Sequence, residues 1–111
     1  DEEEKIFQQV KNLFFEATTL RNKKTFENFI KQFSALEKPM QTTILSQPDK
    51  VGWTGIHYAV RYDEEWVIEE LIGKFPEEIL GLQTNDGWTP ILLAAKNQNW
   101  NILDMLLKYQ H

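Results

Sequence analysis

The sequence predicts an all-α fold of stacked helix-turn-helix repeats, and two observations carry that prediction. The stretch Gly52-Trp53-Thr54-Gly55-Ile56-His57-Tyr58-Ala59-Val60 aligns without a gap on Gly87-Trp88-Thr89-Pro90-Ile91-Leu92-Leu93-Ala94-Ala95, at a spacing of 35 residues, and the match runs on through Val67/Ile102, Ile68/Leu103, Leu71/Leu106 and Ile72/Leu107. Self-similarity at a period of roughly 20 to 50 residues marks an array in which each unit buries its apolar face against a neighbour. Outside these copies, apolar residues recur at steps of three and four, the period of one helical face.

The first helix is predicted from Ile6, Phe7, Val10, Leu13, Phe14 and Ala17. Asp1 to Glu4 fall in its first turn, where the helix dipole favours acids, and they read as a solvated helix start. Asn22-Lys23-Lys24 breaks the pattern, and Phe26, Phe29, Ile30 and Phe33 restart it, so residues 5–34 form a helical hairpin. Aligning Ala17 on Ala59 places Thr25, Phe26, Phe29 and Ile30 on Val67, Ile68, Leu71 and Ile72, which makes this hairpin a diverged terminal copy of the unit. Residues 35–48 add seven to the next connection; bounded by Pro39 and Pro48, they read as an inserted loop with at most a short helical turn over Met40–Leu45. In the unit at 49–83, Thr54 caps a helix reaching about Tyr62, and a second helix runs from Asp63 to about Phe75. Pro76 to Gly81 form an added helical turn. The unit at 84–111 repeats the plan, with Thr89-Pro90 opening one helix and Asn99 to Tyr109 forming the other.

Composition bounds what such an array can do. At 111 residues, the chain fits one domain, and 41% hydrophobic with 13% aromatic residues marks an ordered one. A net charge of -5 weighs against nucleic acid and anionic membranes, although a local set of Lys23, Lys24, Lys50, Arg61 and Lys96 keeps nucleic acid as a minor alternative. There is no cysteine, which excludes disulfides and thiolate metal sites and favours an intracellular setting. The longest apolar run, Ile91–Ala95, is far short of the ~18 to 20 residues of a membrane span. A start at Asp1 rather than Met is read as a fragment or processed chain.

The pattern Gly-x-Thr-Pro-Ile-x-x-Ala-Ala, then an apolar pair and a Leu-Leu pair, resembles the ankyrin repeat, whose signature includes T-P-L-H-x-A. Thr54 to Ala59 match it with Gly55 in the proline position, and Thr89 to Ala94 match it with Leu92 in the histidine position. The resemblance covers residues 49 to 111 well and 5 to 34 weakly. It implies short β-hairpin fingers turned at Gly52 and Gly87, close helix approach at Ala59, Ala94 and Ala95, and no catalysis. It also implies a protein or peptide partner on a concave face formed by the finger tips and the exposed side of the inner helices. Carried over position by position, that face is Lys50, Val51, Trp53, Arg61 and Tyr62 in one unit and Asn85, Asp86, Trp88, Lys96 and Asn97 in the next. An aromatic row beside a basic row would suit an acidic partner with apolar anchors. Trp53 and Trp88 could equally pack on the adjacent finger.

Little else in the sequence carries chemistry. His57 occupies the place where the family's histidine makes structural hydrogen bonds, and His111 is terminal and expected to be mobile. Two histidines and no cysteine offer no metal-ligand set or cofactor site, and Asp63-Glu64-Glu65 and Glu69-Glu70 read as solvated helix surface. Trp66 and Trp100 are expected to pack on the lengthened loops. The apolar last helix, without a polar cap after it, leaves a structural or assembly role as the alternative function, with self-association through the C-terminal repeat.

Overall fold

A computed structural model describes residues 1–110 of the chain. Among them are eight helices: α1 (Glu2–Thr19), α2 (Lys23–Ser34), α3 (Lys38–Ser46), α4 (Gly55–Arg61), α5 (Glu65–Ile72), α6 (Pro76–Leu80), α7 (Pro90–Lys96) and α8 (Trp100–Leu107). Four of these helices, α1, α2, α4 and α7, start at a short polar side chain that accepts an otherwise unpaired backbone N–H group. Asp1 Oδ1 accepts from Glu4 N at 2.9 Å, Asn22 Oδ1 from Lys24 N at 2.9 Å, and Thr89 Oγ1 from Leu92 N at 3.2 Å.

Three antiparallel pairs, α1–α2, α4–α5 and α7–α8, stack side by side. The backbone itself reports their equivalence, because Arg21, Asp63 and Gln98 have φ of +48°, +58° and +59°. They occupy the same register position, one left-handed residue turning each first helix into its partner. Inner helices α1, α4 and α7 pack in sequence, and α5 packs on α8 in the outer row. Between α2 and α5, the rings of Phe26 and Trp66 stack at 5.9 Å.

The core follows the helical stripes. Val10, Phe14, Phe29, Phe33, Ile56, Ile68, Leu71, Ile102 and Leu106 are fully buried, and a chain of rings links Phe14 to Phe29 at 4.9 Å, Phe29 to Phe33 at 5.1 Å and Phe33 to Phe75 at 5.9 Å.

Five features differ from the sequence reading. The stretch 35–48, expected as a loop, carries the nine-residue helix α3, which buries Ile44 and Leu45 against the body and packs on α1 and α6. No strand occurs among the described residues, so the β-hairpin fingers are absent as such. Each is a single turn in which Asp49 N donates to Trp53 O at 2.8 Å, or Thr84 N to Trp88 O at 3.0 Å, with Gly52 and Gly87 at φ of +87° and +86°. Trp66 packs on α2 rather than on a lengthened loop, and Trp100 lies exposed. Ala59 and Ala94 are buried at helix contacts, whereas Ala95 is exposed.

Glu64, read as solvated surface, is only 2% exposed. The left-handed Asp63 turns it inward, where one oxygen lies 3.3 Å from Arg21 Nε. Burial pushes its carboxyl above the usual glutamate range, against the pull of Trp66 and Arg21. His111 lies outside the described residues.

Candidate interaction surface

The ten residues implied by the resemblance fall at the turn tips and along the outward side of α4 and α7. Lys50, Val51, Arg61, Tyr62, Asn85, Asp86, Lys96 and Asn97 are exposed, and Trp53 and Trp88 are half-buried. The structure gathers part of this set into contact and leaves the rest apart.

The gathered part is aromatic. Trp53 lies 5.2 Å from Tyr58, Tyr58 stacks nearly parallel on Tyr62 at 6.4 Å, and Phe15 of α1 meets Tyr58 edge-on at 6.0 Å. The Arg61 guanidinium lies 5.7 Å from the Tyr62 ring centre. One unit along, Lys96 Nζ sits 4.7 Å over Trp88. The cations therefore lie on the aromatics rather than in a separate row. Each such contact contributes about 0.5–1 kcal/mol at an exposed site and holds a long side chain in place. Lys50, Val51, Asp86 and Asn97 stand at the margins.

Three residues outside the expected surface set, Asp49, Tyr58 and Phe15, organise this surface. Asp49 Oδ1 accepts from Val51 N at 3.1 Å and Trp53 N at 3.0 Å, while its other oxygen accepts from the Tyr58 hydroxyl. Burial would raise the Asp49 carboxyl, but the Tyr58 hydroxyl and these N–H groups outweigh it and hold it below its ordinary range. Burial and the Asp49 carboxylate push Tyr58 up to about 12. The turn and the aromatic cluster are thus tied by one ionised carboxylate. In the next unit Thr84 stands in its place, its Oγ1 accepting from Trp88 N at 3.0 Å. Phe15 is the counterpart of His57 in the first unit, and that register position was the available signal for it.

Beneath the surface, His57 joins two units. Thr54 N donates to Nδ1 at 3.3 Å and the Thr54 hydroxyl lies 2.8 Å from the same atom, so Nδ1 accepts. Nε2 then carries the hydrogen and donates to Trp88 O at 2.8 Å. The ring caps its own helix and fastens the next turn. Asn99, at the start of α8, adds a second tie between these helix pairs, its Nδ2 donating to Val60 O. Gly52 permits the close approach of the Asn85 side chain from the neighbouring turn, since a Cβ there would collide with it.

The C-terminal side of the stack is open. Leu92 is 51% and Leu107 44% exposed, whereas their counterparts His57 and Ile72 are 0% and 2% exposed under the following unit. Among the described residues, no three or more Asp, Glu or His side chains gather as a metal-ligand group, and no helix is long and apolar enough to cross a membrane.

Comparison with known proteins agrees with this architecture. The family profile for ankyrin repeats, in 3 copies, matches residues 14–111. An ankyrin repeat protein of Acanthamoeba polyphaga mimivirus is 33% identical over 61 residues, which cover 55% of this chain and 8% of that protein. The chain thus spans a small part of that relative's length. No solved structure matches. Ankyrin repeats are generally non-catalytic protein-interaction modules. With three register-matched helix pairs, a left-handed turn residue in each and the profile spanning most of its length, the chain belongs to the ankyrin repeat family.

Proposed function

We propose that this chain is a protein-interaction module, with units at about 5–34, 49–83 and 84–111, that takes an acidic partner segment bearing apolar anchors on the concave face of the inner helices and turns. The observation that carries this reading is the pair of cations at equivalent positions, each held over an aromatic ring from a different position, Arg61 on Tyr62 and Lys96 on Trp88. Each presents a positively charged group beside an apolar surface, and pre-ordered Arg, Trp and Tyr side chains give the most binding energy per residue at interfaces. The setting is intracellular, where a chain without cysteine lacks nothing by having no disulfide.

Arg61→Glu and Lys96→Glu test it, because both residues are exposed and the fold should not depend on them. Proteins captured on immobilised wild-type chain are expected to bind the double variant at least about tenfold more weakly, with the deficit shrinking in high salt. Equal capture by a variant with unchanged circular dichroism would sink the proposal.

A second reading, assembly through the repeat ends, is favoured by the exposed Leu92, Leu107 and Trp100 on the open side of the last unit. Light scattering should then show a mass that grows with concentration and returns to that of a monomer in Leu92→Lys/Leu107→Lys. A wild-type chain that stays monomeric throughout removes this reading.

A further inference from the structure

The two parts of the chain that the repeat pattern does not require meet at the far end of the molecule from the exposed last unit. One is the start of α1, which precedes the residues matched by the family profile; the other is the inserted helix α3. Helix α1 has 18 residues and its antiparallel partner α2 has 12, so at ~1.5 Å per residue α1 overhangs α2 by about 9 Å. The apolar stripe continues onto this overhang as Ile6 and Phe7. Helix α3 covers it only in part, leaving Ile6 40% exposed.

What remains is a groove of about 680 Å³, floored by Ile6, Phe7, Leu36 and Met40. Its rim is acidic. Glu3, Glu4, Glu37 and Asp1 line it, and no Lys or Arg does; Lys5 and Lys38 adjoin these acids in sequence but lie outside the lining. Asp1 is occupied in capping α1, and Glu3 and Glu4 are favoured by the dipole of the helix they open. Glu37 has neither explanation strengthened by a bond, for it stands at the start of α3 yet makes no capping hydrogen bond. Among the described residues the ion pairs are Arg21–Glu64 and Lys74–Glu70, so none of the rim carboxylates is matched by a cation of its own chain.

We propose that this groove receives a basic amphipathic segment of a partner protein, its apolar residues on Ile6, Phe7, Leu36 and Met40 and its lysines or arginines on Glu3, Glu4 and Glu37. An apolar floor between two helices accepts the apolar face of a peptide helix, and carboxylates along the edges select the charge of the flanking residues. The same carboxylates repel nucleic acid and anionic lipid. This surface is separate from the concave face and prefers the opposite charge, so the two sites stand or fall independently.

The test uses the whole chain and a labelled synthetic peptide with leucines at helical spacing and lysines elsewhere, beside a twin carrying glutamates for lysines. At physiological ionic strength, the lysine peptide is expected to bind, with amide NMR shifts concentrated at Ile6, Phe7, Leu36 and Met40. Glu3→Gln/Glu4→Gln/Glu37→Gln and Ile6→Ser should each weaken it about tenfold, and Arg61→Glu/Lys96→Glu should not weaken it. The rim glutamates are exposed, so the triple variant is expected to stay folded, which circular dichroism checks. The proposal is overturned if the lysine peptide does not bind, if the glutamate peptide binds equally, or if the shifts lie elsewhere. It is also overturned if the unliganded chain forms a dimer whose groove shifts vanish on dilution, since a second copy would then be the occupant.

Discussion

Replacing Gly55 with proline, the residue the family pattern places there, is expected to lower stability by about 2–3 kcal/mol rather than raise it. A Cβ on Gly55 would lie 2.5 Å from Phe14 Cε2 and 2.7 Å from Cδ2. The ring has nowhere to retreat, because Phe14 is wholly buried and stacked on Phe29 at 4.9 Å. The register explains why the next unit accommodates proline. The counterpart of Phe14 is Ile56 and the counterpart of Gly55 is Pro90, so the larger inner-helix residue precedes the smaller helix start, and the smaller precedes the larger. Phe14→Ile alone should cost about 1 kcal/mol or more through lost packing, yet combined with Gly55→Pro it should recover part of the proline penalty. Urea denaturation of the four forms reads the coupling. A higher midpoint for Gly55→Pro, or losses that simply add in the double variant, would show that Phe14 does not dictate the glycine.

That steric exchange illustrates where the sequence was legible. The α4–α5 and α7–α8 pairs announce themselves because Thr54/Thr89 and Ala59/Ala94 recur where helix caps and close helix contacts demand them. The first unit was legible through Ala17, and the matching left-handed turn at Arg21 places it in the same register. What escaped depends on neighbours. Pro39 reads as a break in the sequence, yet it stands in the first turn of α3, where its missing N–H is not needed, the same signal that opens α6 at Pro76. Glu64 looked solvated within an acidic run, and only its register with the inward-reaching Asn99 marks it as buried. At the candidate surface, the tips and Arg61 and Lys96 were legible as exposed positions. The Asp49–Tyr58 tie and the Phe15 contact were not, because they form across the turn and between units. The β-hairpin fingers were expected from the family and are here reduced to single turns, each closed by a backbone bond between residues four apart.

The second large effect is expected at His57. His57→Leu should cost about 3 kcal/mol, because Leu preserves bulk but leaves the Trp88 carbonyl and the Thr54 N–H without partners in a buried setting. Leucine stands at the equivalent position of the third helix pair, where Leu92 lies half in solvent and faces no carbonyl of another described turn. His57→Gln should lose less, since an amide can still donate to one of the two sites. The imidazole also gives stability a pH dependence of known sign. Burial lowers its affinity for a proton, against the Trp88 carbonyl that favours the charged ring. The unfolded histidine therefore takes up a proton as pH falls through about 6.5, while the folded ring does not, so this contribution is complete above that pH and is lost on acidification towards the folded value. Glu64 acts in the opposite sense: its raised carboxyl contributes stability below the ordinary glutamate range that is lost as pH rises through its folded value. The two slopes offset one another in the native chain, so the raw profile is a poor probe. The difference in urea midpoint between wild type and His57→Leu isolates the histidine, and it should narrow as pH drops below about 6.5. A gap that stays constant would mean the folded ring takes up a proton as readily as the unfolded one, and a gap that widens would mean the ring is charged in the fold; either outcome would require the hydrogen-bond assignment joining α4 to the next turn to be abandoned.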